Sequence, residues 1–238
     1  MSGRISLTIV LDFMCPWSFI GLRSLTSAQT QFEASSGLLL PPIDVSILPY
    51  EFDPPGTYPP EGKDWTGYCE GYGPAKASYL LGEKLPLAFS LGKELGIDFD
   101  IKRRIVGTEG VNAALVLAQQ HGAGLAFALR MLSLHFEELR DPNDEALLRQ
   151  VLVDELAVPA SEEELLAALR PSAARARGNA ELTERGRALC GGSVPKFIVS
   201  CTGEGGEGDG VGGGSPTSPE YFTAVFRHCV ERMQKDEL

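Results

Sequence analysis

Val10-Leu11-Asp12-Phe13-Met14-Cys15-Pro16-Trp17-Ser18-Phe19-Ile20-Gly21 is the stretch from which the fold can be read. Just upstream, Ile5 to Leu11 is rich in β-branched and aliphatic residues, which predicts a buried strand. Pro16 suits the first turn of a helix, where its missing N–H has no intrahelical partner. Trp17, Ile20 and Leu25 then recur at helical intervals, so a helix starts at Cys15 or Pro16. A thiol at a strand-to-helix junction meets the unpaired N–H groups of the first turn, which favour an anion. This placement predicts a lowered pKa for Cys15 and a nucleophilic thiolate. The opposing reading is an inert cysteine buried below the sheet. Gly21 inside the helix costs ~1 kcal/mol relative to alanine, so a close neighbour is expected there.

Working outward, Ile43 to Leu48 forms a second strand, flanked by prolines, and residues 50–73 read as irregular and aromatic-rich. Helical patterns follow at 75–95, 109–121, 124–139, 144–156, 161–170 and 172–188. Asp141-Pro142-Asn143-Asp144 marks a helix stop followed by an N-cap, and Ser161 with Glu164 forms a capping box. Lys196 to Cys201 is a third strand, and Pro219 to Met233 is a final amphipathic helix. The fold class is α/β: the terminal segments can share one sheet, and the helices between them form an insertion. The expected division is a sheet-bearing unit over 1–65 and 172–238, with a helical insertion over 66–171.

Composition narrows the function. The 238 residues carry a net charge of −11, which disfavours nucleic acid and anionic membranes as partners. The basic triplet Lys102-Arg103-Arg104 reads as a solvated surface turn. Five cysteines at wide spacings do not form a disulfide framework and suit a reducing compartment with free thiols. No metal site is expected, because the 3 histidines and the cysteines do not cluster. No apolar run approaches the ~18–20 residues that span a bilayer, and the N-terminal stretch lacks the features of a signal peptide. These points favour the cytoplasm. The C-terminal Lys235-Asp236-Glu237-Leu238 matches an endoplasmic-reticulum retrieval signal, which would place the chain in that lumen if an upstream signal existed.

Ser18 stands where a dithiol centre would need a second cysteine to resolve a mixed disulfide. Its hydroxyl can instead donate a hydrogen bond to a thiolate. Val194-Pro195 precedes the third strand, where proline removes a ladder donor at tolerable cost and where an X-Pro bond can be cis. Gly208-Asp209-Gly210-Val211-Gly212-Gly213 satisfies a dinucleotide fingerprint, but it does not open a helix and its acids repel phosphate, so it reads as a loop. Cys190, five residues before Pro195, could in principle resolve a disulfide at Cys15, but packing at a helix end is the expected role. Core packing is also expected for most of Trp17, Trp65, Tyr50 and Phe52.

Taken together, Asp12-x-x-Cys15-Pro16-Trp17-Ser18-x-x-Gly21, Leu48-Pro49-Tyr50-Glu51-Phe52, Gly107-Thr108-Glu109-Gly110-Val111-Asn112 and Ser193-Val194-Pro195-Lys196-Phe197 resemble the FrnE-type branch of the DsbA-like oxidoreductases. The resemblance implies a thioredoxin fold with a large all-helical insertion and thiol–disulfide oxidoreductase activity. It implies Cys15 as nucleophile, assisted by Ser18, and Pro195 as a cis-proline. Pro16, Trp17, Val194 and Pro195 would contact substrate. The departure is Ser18, which points to one-thiol chemistry through mixed disulfides with glutathione or protein thiols. Glutathione is then a co-substrate, and no tightly bound cofactor is expected. Kappa-class glutathione transferases and 2-hydroxychromene-2-carboxylate isomerases, in the same superfamily, supply one alternative; a redox-inactive peptide-binding module is another. Assembly as a homodimer is left open.

Overall fold

The computed structural model describes residues 3–36, 39–53, 56–59, 61–202, 209–214 and 218–236. Its main sheet has four strands in the order β2-β1-β5-β6: β1 (Arg4–Leu11), β2 (Ile43–Pro49), β5 (Lys196–Thr202) and β6 (Asp209–Gly214). β1 and β2 run parallel, with Ile9 opposite Ile47, whereas β1–β5 and β5–β6 are antiparallel. The parallel pair is joined by α1 (Pro16–Ser36), giving the crossover unit that parallel strands require. Alternation along β1 decides the two faces. Ile5, Leu7, Ile9 and Leu11 enter the main core, and Val10 points to the opposite side. α1 and α10 (Pro219–Asp236) pack against each other on the first face, while α9 (Ala173–Cys190) lies over β1 and β2 on the other. α9 approaches closely: a Cβ at Gly186 would sit 2.9 Å from the Pro49 carbonyl oxygen.

Between β2 and β5 lie α2 (Trp65–Glu70), α3 (Pro74–Tyr79), α4 (Leu85–Glu94), α5 (Glu109–Gln120), α6 (Gly124–Phe136), α7 (Glu145–Arg149) and α8 (Glu162–Leu169). A small ribbon pairs β3 (Lys63–Asp64) with β4 (Arg104–Ile105). The core continues from α1 into this block through Phe19, which meets Phe99 and Phe136 at ring separations of 6.0 Å each. Docking of α5 also closes the sheet edge: Gln119 accepts from the Ile47 N–H at 2.6 Å and donates to the Ile47 carbonyl at 2.9 Å. The Ser161 capping box and the Asp144 N-cap form as the sequence predicts.

Four features depart from the sequence reading. Residues 50–73 hold β3 and α2, the latter started by the Asp64 carboxylate accepting the Gly67 N–H at 2.8 Å. The long helix expected over 75–95 widens into a π-turn at Leu80–Lys84, and the one expected over 144–156 does so at Gln150–Glu155. Pro86 lacks the N–H that would bond back to Gly82, and the local ladder adjusts. Part of the expected glycine-rich loop is β6, paired with β5 from Phe197↔Gly214 to Cys201↔Asp209; residues 203–208 lie outside the described residues. Finally, not all thiols are free. Cys201 on β5 and Cys229 on α10 form a disulfide, with Cα atoms 5.5 Å apart. The two residues lie 28 apart in sequence and become neighbours only because α10 packs on β5. Glu237 and Leu238 of the C-terminal signal also fall outside the described residues.

Candidate active site

Cys15 occupies the junction the sequence assigned to it, immediately before α1, with its N–H donating to the Asp12 carbonyl at 3.1 Å. The Val194–Pro195 peptide is cis, and Cys15 Sγ lies 3.8 Å from the Val194 carbonyl oxygen. Two segments 179 residues apart in the chain therefore meet at one sulfur. Gly21 explains how closely they can approach. A Cβ there would come within 2.8 Å of the Phe197 ring and 3.2 Å of Pro195 Cγ, so α1 rests directly on the turn that enters β5.

Cys15 opens onto a cavity of about 410 Å³. Asp12, Pro16, Trp17 and Val194 line it, and Trp65, Tyr68, Tyr72 and Leu80 add a mostly aromatic wall. That wall belongs to the helical block, so this block shapes the space in front of the thiol. Lys84 sits 5.6 Å from the Trp17 ring centroid, and Lys76 sits 4.1 Å from that of Tyr72. Glu51, Asp53 and Glu109 add carboxylates to the lining. Tyr58 donates a hydrogen bond to Asp53, and the Tyr68 and Tyr72 hydroxyls share one at 2.7 Å. The site is thus largely apolar, with both cations and anions in its lining.

The sequence-predicted residues divide into two groups. Cys15, Pro16, Trp17 and Val194 line the cavity. Ser18 and Pro195 stand behind it: Ser18 is fully buried and its Oγ accepts the Asp12 N–H at 3.2 Å, while Pro195 packs toward Gly21. Trp17, Trp65 and Phe52 face the cavity rather than serving only the core; Tyr50 is buried, with Phe52 across it at 5.1 Å.

The electrostatics correct the expectation of an acidic thiol. Burial pushes the Cys15 pKa up to about 11, and the neighbouring Asp12 charge adds to the rise. The Ser18 and Trp17 N–H groups and the Ser18 hydroxyl work in the opposite direction, as the helix-start argument anticipated, but desolvation outweighs them. Asp12 is itself raised to about 7 by burial, although it accepts the Met14 N–H at 2.7 Å and the Phe52 N–H at 3.2 Å. Arg103 is a further departure. Instead of lying on a solvated turn, it is 4% exposed, with its guanidinium 4.5 Å from the Trp65 ring and 4.3 Å from that of Phe136. Its positive charge supports the ionised forms of Cys15 and Asp12, while burial lowers its own pKa to about 9. Sequence reasoning missed Asp12 as a titrating group, along with Arg103 and the three tyrosines. Asp12 offered a signal, since an acidic residue ending an apolar strand three residues before a cysteine is buried beside it. Arg103 offered none.

A family model for the DSBA-like thioredoxin domain matches residues 6–199. The chain belongs to the DSBA-like thioredoxin-domain family. Among solved structures, this DSBA-like chain is similar to a probable DsbA oxidoreductase from Streptomyces coelicolor, with TM-score 0.68, 22% identity, and 95% of this chain and 90% of the other covered. It is also similar to the cytosolic disulfide reductase DsbM from Pseudomonas aeruginosa (TM-score 0.60, 16% identity, 95% and 98% covered). A 2-hydroxychromene-2-carboxylate isomerase matches with TM-score 0.60 at 12% identity, with 98% and 99% covered. At these identities the likenesses establish the thioredoxin-like fold. No curated protein matches the sequence.

Proposed function

We propose that this DSBA-like chain is a thiol–disulfide oxidoreductase whose substrate-attacking nucleophile is Cys15, the single cysteine of its Cys15-Pro16-Trp17-Ser18 motif, with glutathione or protein thiols as exchange partners. The observation carrying this reading is the sulfur at the mouth of α1, 3.8 Å from the carbonyl of the cis Val194–Pro195 peptide and open to the aromatic cavity. An extended disulfide substrate would lie along Val194 with one sulfur facing Cys15. The Cys15 thiolate attacks that sulfur, the substrate S–S bond breaks, and the electron pair leaves with the other sulfur as a thiolate. A mixed disulfide remains on Cys15. A glutathione thiolate then attacks the mixed disulfide and regenerates Cys15.

The raised thiol pKa makes proton removal part of the step. Asp12, its carboxyl raised to about 7 by burial, is the charged neighbour that opposes this ionisation. The raised value slows the reaction less than it first suggests. From 9.0 to about 11, the thiolate fraction at pH 7 falls about a hundredfold. Thiolate nucleophilicity rises with a Brønsted slope of about 0.4–0.5, so the net cost is only about tenfold.

Glutathione suits the cavity by charge. Lys76 and Lys84 can meet its carboxylates. The DsbM structure solved with GSH supports such a use of this fold. The deciding experiment is exchange with glutathionylated peptide by the native chain and by Cys15→Ser, with mass spectrometry of the adduct. The reading requires that Cys15 be found in a disulfide after exchange, with glutathione or with a second thiol of the chain, and that exchange be lost in the variant. The aromatic walls support a second reading, a glutathione-dependent transferase or isomerase; turnover of an electrophilic aromatic substrate retained in Cys15→Ser would establish that one instead.

A further inference from the structure

Cys15 belongs to a small apolar cluster separate from the main core. Its other members are Val10, Leu48, Tyr50, Val194 and a second thiol, Cys190. Of the five cysteines, Cys201 and Cys229 are joined to each other, and Cys69 lies on α2 in the helical block. Cys190 is therefore the one free thiol that shares a packing cluster with the nucleophile. It is the last residue of α9 and 5% exposed, with Sγ turned back along its own helix to 3.7 Å from the Arg187 carbonyl. Rotation about its Cα–Cβ bond would free the sulfur from that weak contact.

The connection to the active site is short. Only Gly191, Gly192 and Ser193 separate Cys190 from Val194, and the Ser193 N–H closes the turn on the Cys190 carbonyl at 3.3 Å. Gly191 and Gly192 have φ of 60° and 81°, and a Cβ on either would meet nothing within 4 Å. Gly192 lines the cavity in front of Cys15. The two glycines that follow Cys190 thus face open space at the edge of the reaction space, and their lack of side chains leaves that turn room to move.

We infer that Cys190 resolves mixed disulfides formed at Cys15, taking the part that Ser18 cannot play. This rests on the reading of Cys15 as nucleophile and adds a second reacting atom to it. The Cys190 thiolate attacks Cys15 Sγ of the mixed disulfide, a Cys15–Cys190 bond forms, and the substrate sulfur leaves as a thiolate. The Cys190 proton goes to solvent, and the two electrons that reduced the substrate come from the two protein thiols. An external thiol such as glutathione reduces the new disulfide afterwards. The consequence is net two-electron reduction of a bound disulfide by a chain lacking a Cys-x-x-Cys pair. Because the second thiol is held in the same cluster, its attack is intramolecular and competes with attack from solution.

The test uses the full native chain and one equivalent of the aromatic disulfide 5,5′-dithiobis(2-nitrobenzoate), which releases one coloured thiolate per exchange. The expected result is two equivalents of coloured thiolate per reacted chain, no label retained, and a Cys15–Cys190 linked peptide in a non-reducing digest. Cys190→Ser should release one equivalent and keep the label on Cys15; its thermal unfolding, compared with that of the native chain, reports whether it is folded. A label that persists on Cys15 of the native chain, or linkage of Cys15 to Cys69, overturns the inference while leaving Cys15 as nucleophile. Absence of any reaction at Cys15 removes the proposed function and the inference with it. The linked peptide is read on the native chain, so the outcome does not depend on a variant folding.

Discussion

Titrating the alkylation of Cys15 tests the electrostatic account of the site directly. Burial and the Asp12 charge raise this thiol from 9.0 to about 11. At pH 7 that leaves about one molecule in ten thousand as thiolate, against about one in a hundred for an unperturbed group. The rate of iodoacetamide labelling at Cys15, followed by mass spectrometry of its peptide, should therefore climb about tenfold per pH unit from pH 7 to pH 10 and bend near 11. The Asp12→Asn variant isolates one contribution. Removing a neighbouring negative charge favours the thiolate, so the midpoint should move down and labelling at pH 8 should accelerate. Disulfide exchange near pH 7 uses the same thiolate and should accelerate too, by a smaller factor, because a less basic thiolate is a weaker nucleophile. Parallel acceleration of alkylation and exchange is the signature of a carboxylate that acts as an electrostatic brake on the thiol. A native midpoint at or below 9, or an Asp12→Asn midpoint that stays put or rises, would refute the reasoning.

Further predictions concern stability. Asp12 has a folded pKa of about 7 against an ordinary 3.8, so the native state loses stability through this group as pH climbs from about 4 through about 7. The stability of Asp12→Asn relative to the native chain should rise over that window by as much as about 4 kcal/mol, read from urea melts at pH 4 and pH 8; a flat difference would contradict the assignment. Gly21→Ala places a methyl 2.8 Å from the Phe197 ring, an overpacking cost of about 1–3 kcal/mol against the ~1 kcal/mol gained in helix propensity. It should lower the urea midpoint and disturb exchange through Pro195; a stabilised variant with native exchange would show that the contact yields easily. Removing the Cys201–Cys229 bond with Cys201→Ala and Cys229→Ala together opens a closed loop of 28 residues, worth about 3.5 kcal/mol. Calorimetry should find Tm lowered by about 7–14 °C, and an unchanged Tm would mean that the two sulfurs are not bonded in the native protein.

Much of the site was legible before the fold was known, because it rests on short-range rules. A β-branched run ending at Leu11, a proline at the first helical position and a glycine at position 21 fixed the strand, the helix and a close approach. The Val194-Pro195 entry to β5 followed from the same backbone logic. The Ser161 cap was legible because its donors and acceptors lie within one turn. What the chain by itself determined was therefore its backbone punctuation and the position of its nucleophile.

Only the tertiary structure decided which groups lose water and which distant residues meet. The helix start argued for an acidic thiol, and the surrounding packing reversed the sign by desolvating it. The basic triplet 102–104 resembles any surface turn, yet Arg103 is enclosed by Trp65 and Phe136, residues 38 and 33 positions away. The glycine-rich residues 209–214 have little intrinsic strand preference and are ordered by the open edge of β5. The bond between Cys201 and Cys229 exists because α10 crosses that same strand. Burial and long-range pairing depend on the whole arrangement of the chain, and no window of sequence contains them.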